Sequence, residues 1–332
     1  MVRKRLELSL EALAEEAPEQ VSFTTKSGLK VTYPKSRAGE FLGGIYSELF
    51  QQPNNISRIL EALAGRNVRR ALDMFMAIIT SGHMPEDVIA SVAHGTGFRS
   101  FPESLIVRAL MRQDYRYFNN NSGFIANIFN CDSRWERPTN LLIPELLFYL
   151  LSQRKVRGDN GQMGFVASPR VLFELESFGF VRPDIMDAAR FCLVKGLIDV
   201  ETSSQDIVRE RDSIKASASG WAHMRILSSR VEYLAAVLPT TPLNDKTLSA
   251  RIFDLMQLEN RTGLVSFQRS LQIVEGFETY LTRQDTDFLS HPGYAGRGKS
   301  GAKYILSKIR EALTFGRRES AKVTGQADSL DL

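Results

Sequence analysis

Cysteine, histidine and long apolar runs are what this sequence has least of. Only Cys131 and Cys192 occur in 332 residues, each inside an apolar stretch and neither with a Cys or His neighbour at metal-ligand spacing. A disulfide scaffold and a cysteine-based zinc site are thereby excluded, and both are expected to be core thiols in a reducing compartment. His83, His94, His223 and His291 are scattered. With no Gly-x-Ser-x-Gly and no Cys-His pairing, the usual hydrolytic constellations are missing, and no catalysis is expected from this chain alone. Nowhere do about eighteen apolar residues run together, the longest candidate being LLIPELLFYLL at 141–151, so a spanning helix is excluded and no membrane partner is expected. The opening stretch is basic and then Leu-rich, but Glu7, Glu11, Glu15 and Glu16 interrupt any signal-peptide run, so the expected compartment is the cytoplasm. Charge of one sign is also scarce. Forty-two Lys and Arg against 38 Asp and Glu leave +4, which permits nucleic-acid contact without demanding it. No internal repeat is visible, which excludes a solenoid.

What is present is helical periodicity. Leu6, Leu8, Leu10 and Leu13 already belong to an amphipathic helix over 3–16 with no cap before it, so the chain is expected to be a piece of a longer protein. VSFTTKSGLKVTYP, near 21–34, predicts a β-hairpin. Segments 39–50, 55–65, 67–81, 84–93, 101–113 and 121–130 carry apolar residues three and four apart and predict helices. The pattern breaks at CDSRWERPTN, where Pro138 restricts Arg137, and a domain boundary is expected there. Beyond it come a helix from Leu141, a turn, a helix with Ser168 as cap and Pro169 at its first position, a helix from Pro183 to Gly196, a strand, a loop, a second strand and another helix. That order predicts a winged helix-turn-helix. The expected fold class is therefore mainly α with small β elements. Its domains would be a helical, lid-like one over 1–135, a winged helix over 136–240, C-terminal helices over 241–318 (at 245–259, 264–283 and 301–315) and a flexible tail over 319–332.

The most informative short segment is LAGRNVRRALDMFMAIITSGH at 63–83. Asn67 fits an N-cap, and Val68, Leu72, Phe75, Met76 and Ile79 form one apolar stripe. Arg66, Arg69 and Arg70 crowd the first turn, where the helix dipole is positive and carboxylates are preferred. Such a terminus either waits for a phosphate held on another domain or presents arginines that are solvated or paired with nearby acids. Gly65 to Leu72 resembles the Gly-Asn/Asp-x-Arg-x-Ala-Leu segment that opens the sensor-2 helix in the lid of AAA+ and STAND ATPases, archaeal origin initiators among them. Ser81-Gly82, Asp114 to Phe118 and Asn127-Ile128-Phe129 follow in the order seen in several bacterial P-loop ATPases, some linked to phage defence. The resemblance implies that Arg69 approaches the terminal phosphate of a nucleotide, with Asn67 beside it. The inserted Arg66 leaves Arg70 as a competitor. It further implies that ATP and Mg belong to the complete protein and are not bound by this chain alone. The partner would be a P-loop ATPase core, in the same polypeptide or another chain, with other subunits and DNA as further candidates.

Two other signals carry charge. Gly293 to Ser300 satisfies the Walker A spelling Gly-x4-Gly-Lys-Ser, but TDFLSHP before it is polar and broken by proline where a buried strand is required. The expected reading is a flexible loop before an amphipathic helix. Arg297, Lys299, Lys303, Lys308, Arg310, Arg317 and Arg318 have Glu311 as the only acid among them, forming either a polyanion site or a solvated face. In the winged helix, Asp184, Asp187 and Arg190 are expected toward solvent, where carboxylates oppose base readout even if Arg190 and Lys195 touch DNA. Arg209, Arg211 and Lys215 in the wing would contact backbone or a protein partner, and Trp221 is expected to pack the wing onto the next helix. Two functions stay open: the nucleotide-sensing, effector-coupling region of a larger ATPase, and a stand-alone DNA-binding regulator.

Overall fold

The computed structural model describes residues 55–65, 67–85, 101–158, 160–202, 208–262, 267–295 and 298–328, together with 20–24, 30–34, 49, 87–88 and 91. The helix expected at 3–16, nearly all of that at 39–50, half of that at 84–93, and Arg66 and Arg297 lie outside the described residues. The chain is mainly helical with small β elements. It divides into two compact units, Met1–Ile125 and Ala126–Leu332, so the region expected to be a winged helix and the C-terminal helices share one unit where the sequence predicts two domains.

In the first unit, β1 (Gln20–Thr24) pairs antiparallel with β2 (Lys30–Pro34), Val21 opposite Tyr33. Among the helices described after them are α1 (Asn55–Ala64), α2 (Val68–Thr80) and α3 (Glu103–Arg112). Gly65, at φ +59°, ends α1 in the left-handed conformation that glycine adopts without strain. Two residues on, the Asn67 side chain accepts from the Arg70 amide at 3.1 Å and starts α2, as its position predicts. Ile59 and Leu60 of α1, Met74 and Ile78 of α2, and Ile106 and Leu110 of α3 are fully buried, because their three- and four-residue spacing puts them on one face of each helix.

The second unit begins with a buried thread. Residues 121–130, predicted as a helix, are irregular, since neighbouring side chains satisfy the backbone groups that a helix would pair. The Ala126 amide donates to His223 Nε2 at 2.9 Å, the Ile128 amide to the Tyr233 hydroxyl at 3.1 Å, and that hydroxyl to the Ala126 carbonyl at 2.9 Å. His223 Nδ1 lies 2.7 Å from the Ser219 carbonyl, so one ring nitrogen donates and the other accepts, which is the neutral ring. Asn140 Nδ2 donates to the Phe129 carbonyl at 2.7 Å, and Phe129 meets Phe277 edge-on with centroids 5.0 Å apart.

Next come α4 (Leu142–Ser152), β3 (Val166–Ala167), α5 (Ser168–Ser177), α6 (Arg182–Val194), β4 (Ile198–Val200), β5 (Ser213–Ala216) and α7 (Ala218–Arg225). The strands form one antiparallel sheet in the order β3-β5-β4, with Val166 opposite Ile214 and Asp199 opposite Lys215. β3, two residues long, is absent from the sequence reading, which has only a turn before α5. The Ser168 hydroxyl makes no hydrogen bond, so it does not cap α5 as expected. Gly196 ends α6 at φ +67°, and Ser217 caps α7 by accepting from the Gly220 amide at 3.0 Å. Asp184, expected toward solvent, is buried and accepts from the amides of Glu136 and Arg137 at 3.1 and 3.0 Å. The chain closes with α8 (Val231–Val237), α9 (Lys246–Thr262), α10 (Phe267–Leu289), the short α11 (Pro292–Ala295) and α12 (Gly301–Asp328), which runs on where a frayed tail was expected from Glu319. α4 is apolar nearly all round because it is enclosed, packing on α6, α7 and β5 as well as on α12.

Both cysteines are buried free thiols; burial pushes Cys131 up to about 11 and Cys192 further. Replacing Tyr233 by Phe removes the one oxygen that serves both Ile128 N–H and Ala126 C=O. A loss of about 1–3 kcal/mol is expected in urea unfolding, with near-native helicity retained. A change within about 0.5 kcal/mol would mean that the thread does not depend on that hydroxyl.

Candidate functional site

The arginines at the start of α2 are not equivalent. Arg70 turns inward: its Nη2 donates to the Phe124 carbonyl at 3.2 Å, its guanidinium lies 5.8 Å from the Phe124 ring centroid, and burial lowers its pKa. Asn67 is occupied as the helix cap. Asn67 is exposed as well, and of the two arginines expected to sense nucleotide Arg69 is the exposed one, with no ion pair among the described residues. Proximity in sequence concealed this division, because positions 69 and 70 lie about 100° apart around a helix.

The Walker-spelled loop has a different chemistry from its spelling. Glu145, in the first turn of α4, is almost fully buried and sits at the start of α12, where Oε2 accepts from the Gly301 amide at 2.7 Å and Oε1 from the Ala302 amide at 2.8 Å. The Ser300 hydroxyl takes the next amide, that of Lys303, at 3.2 Å. All three first-turn donors are therefore satisfied internally, and a carboxylate of the protein stands where a phosphate would bind a helix N-terminus. Tyr294 completes the cluster, its hydroxyl lying 2.5 Å from Asp285, 3.2 Å from Glu145 and 3.2 Å from Ser300. Burial raises the Glu145 pKa against the opposing pull of the two amides, and burial followed by the Glu145 charge raises that of Tyr294. The glycines of the loop divide accordingly. A Cβ on Gly301 would lie 2.6 Å from the Pro144 carbonyl, and one on Gly293 would run into the Ser177 carbonyl, whereas one on Gly298 would meet nothing within 4 Å.

Much of the charge expected to contact DNA or a partner is already paired. Arg190 bonds Asp187 at 2.8 Å, and Lys195 rests 6.0 Å from the Phe191 ring centroid with its pKa lowered by burial. Lys215 lies 4.5 Å from the Phe165 centroid and 3.8 Å from Asp199. Arg209 and Arg211 remain exposed without ion pairs among the described residues. The basic stretch of α12 is largely neutralised from another helix: Arg310 meets Glu278 and Arg317 meets Glu275, both at 2.6 Å, while Lys308 pairs with Glu311 at 2.6 Å. The acids of α10 are remote in sequence, so counting only local acids overstated that patch.

Lys299 and Lys303 join a cleft that was not foreseen. It has a volume of about 560 Å³ and lies between the end of α4, α7 and the start of α12. Arg154 and Arg225 line it, and so do Phe148, Trp221 and Tyr304; no carboxylate does. Trp221, expected to pack the wing onto the next helix, is half-buried and lines this cleft. Among the described residues no group of three or more His, Cys, Asp or Glu is placed to hold a metal ion, and no helix is long and apolar enough to cross a membrane. Comparisons with protein-family models, curated proteins and solved structures find no match in any of the three.

The two readings of the loop separate by mutation. Gly293→Ala and Gly301→Ala are each expected to cost about 2 kcal/mol or more, because backbone must move, while Gly298→Ala stays within about 0.5 kcal/mol, all read by thermal unfolding. A stable Gly301→Ala would show that α12 does not approach α4 this closely.

Proposed function

We propose that this chain is a non-catalytic, nucleotide-sensing and effector-coupling region of a larger AAA+ or STAND-type ATPase, in which residues 142–216 are a winged-helix effector module that docks on protein. The ATPase half of this reading rests on the resemblance of residues 65–72. The effector half rests on one geometric observation, the order α4-β3-α5-α6-β4-β5 with a β3-β5-β4 sheet, which is the arrangement of a winged helix. Protein is favoured over DNA as its target by how α6 uses its charges. Arg182 is held by Glu176 at 2.8 Å and Arg190 by Asp187, so two guanidiniums that would read base edges are engaged, while Phe173 and Val194 stand 73% and 63% exposed.

In this scheme Arg69 supplies the sensing charge to a phosphate held by a P-loop core, with ATP and Mg bound by that core, and Arg70 keeps the helix seated. The chemistry suits it, since an exposed guanidinium at a helix N-terminus adds to the dipole field that an anion meets. Within the cell the proposed compartment is the cytoplasm. A second reading, a DNA-binding regulator, is favoured by Arg209 and Arg211, which are exposed on either side of Glu210 just before β5. A duplex gel-shift across a salt series separates the two, since phosphate binding by these arginines weakens steeply with salt, and both Arg→Ala changes would remove it.

Stability and signalling should come apart at adjacent positions. Arg70→Ala is expected to destabilise by about 1–2 kcal/mol, and Arg69→Ala by less than about 0.5 kcal/mol. In the complete ATPase, Arg69→Ala is expected to lower nucleotide-dependent turnover at least about tenfold. Unimpaired turnover and switching in that variant would contradict the sensing role.

A further inference from the structure

The cleft between α4, α7 and α12 shares no residue with the sensing turn of α2 or the exposed face of α6. In its lining Arg154, Arg225, Lys299 and Lys303 supply four positive groups, and among the described residues no acid lines the wall. Arg154, Arg225 and Lys299 are exposed and make no ion pair among the described residues, in contrast to Arg310 and Arg317, which are held by α10. The apolar part of the wall is aromatic. Phe148 and Tyr304 pack with ring centroids 5.5 Å apart, and the Trp221 indole is half-buried beside them. Tyr304 contributes its ring to the wall, while its hydroxyl is buried and has no hydrogen-bond partner.

We propose that this cleft binds a nucleotide unit, either free or as a link of a single strand, with its phosphate among Arg154, Arg225, Lys299 and Lys303 and its base against Trp221. Cations beside a flat aromatic face are the combination that single-strand and nucleotide sites use, because the phosphate gives charge and the base gives a stacking surface. A cleft of about 560 Å³ falls in the size range of small-ligand sites. An acidic peptide would satisfy the cations and leave the indole without a stacking partner. The binding mode differs from that of a P-loop, since Glu145 and Ser300 already hold the first amides of α12. Phosphate is therefore met by side chains, and with no carboxylate on the wall the site has no anchor for a divalent metal.

The test uses the full chain, with AMP, ATP and a fluorescein-labelled oligothymidine as probes at low salt, each with and without EDTA. Intrinsic tryptophan emission reports stacking, because Trp135 is buried and Trp221 is at the cleft. Binding is expected to quench that emission, to survive EDTA, and to weaken about tenfold or more in the Arg154→Glu, Arg225→Glu double variant. Trp221→Phe should abolish the quench. Lys299→Glu, at an exposed site, serves as the second charge reversal if the double variant unfolds. Binding by AMP and ATP alone identifies a free nucleotide, and binding by the oligonucleotide alone identifies a strand; either outcome supports the cleft. The proposal is overturned if none of the three probes binds, if the charge reversals change affinity less than about twofold, or if EDTA abolishes binding. None of these outcomes depends on Arg69 or on the ATPase reading.

Discussion

A single buried carboxylate organises the larger half of this protein. Glu145 lies in an otherwise apolar helix, and burying an ionisable group there is costly unless its oxygens are bonded. Each oxygen takes one amide at the positive end of α12, where a negative group is most favoured. The close packing that this requires excludes a side chain at Gly301. Tyr294, Asp285 and Ser300 then complete the cluster. Because α4 also carries the packing of α6 and β5, the same contact joins the three-stranded sheet and its helices to the C-terminal helices as one unit.

That constraint recasts the motif that looks most chemical in the sequence. The Gly-x4-Gly-Lys-Ser spelling survives as a structural device: Gly293 and Gly301 allow close approach, Ser300 caps, and Lys299 turns toward a cleft. A phosphate bound at the terminus of α12 would compete with Glu145 for the same amides. Charge is used with similar economy elsewhere. Arg70, Arg182, Arg190, Arg310 and Arg317 are engaged within the fold, whereas Arg69, Arg154, Arg209, Arg211 and Arg225 are exposed and make no ion pair among the described residues.

Local signals made much of the fold legible. Asn67 and Gly65 marked the turn between α1 and α2, Gly196 marked the end of α6, and the apolar spacing located α9, α10 and α12. What escaped was non-local. β3 is too short to have a period, and residues 121–130 have helical spacing but bond to side chains about a hundred positions away. Glu145 was visible as the single charge in LLIPELLFYLL, yet no local signal gave it a role, because the amides it bonds lie more than 150 positions along. The cleft escaped for the same reason, its cations coming from three separate elements.

Backbone amide exchange at Gly301 and Ala302 tests the role of Glu145 most directly. First-turn helix amides lack intrahelical acceptors and normally exchange fast. Protection at both sites comparable to the interior of α12 is expected in the native protein, with loss at those two positions in a folded Glu145→Ala variant. Fast exchange at both amides in the native protein, or protection unchanged by the substitution, would contradict the account.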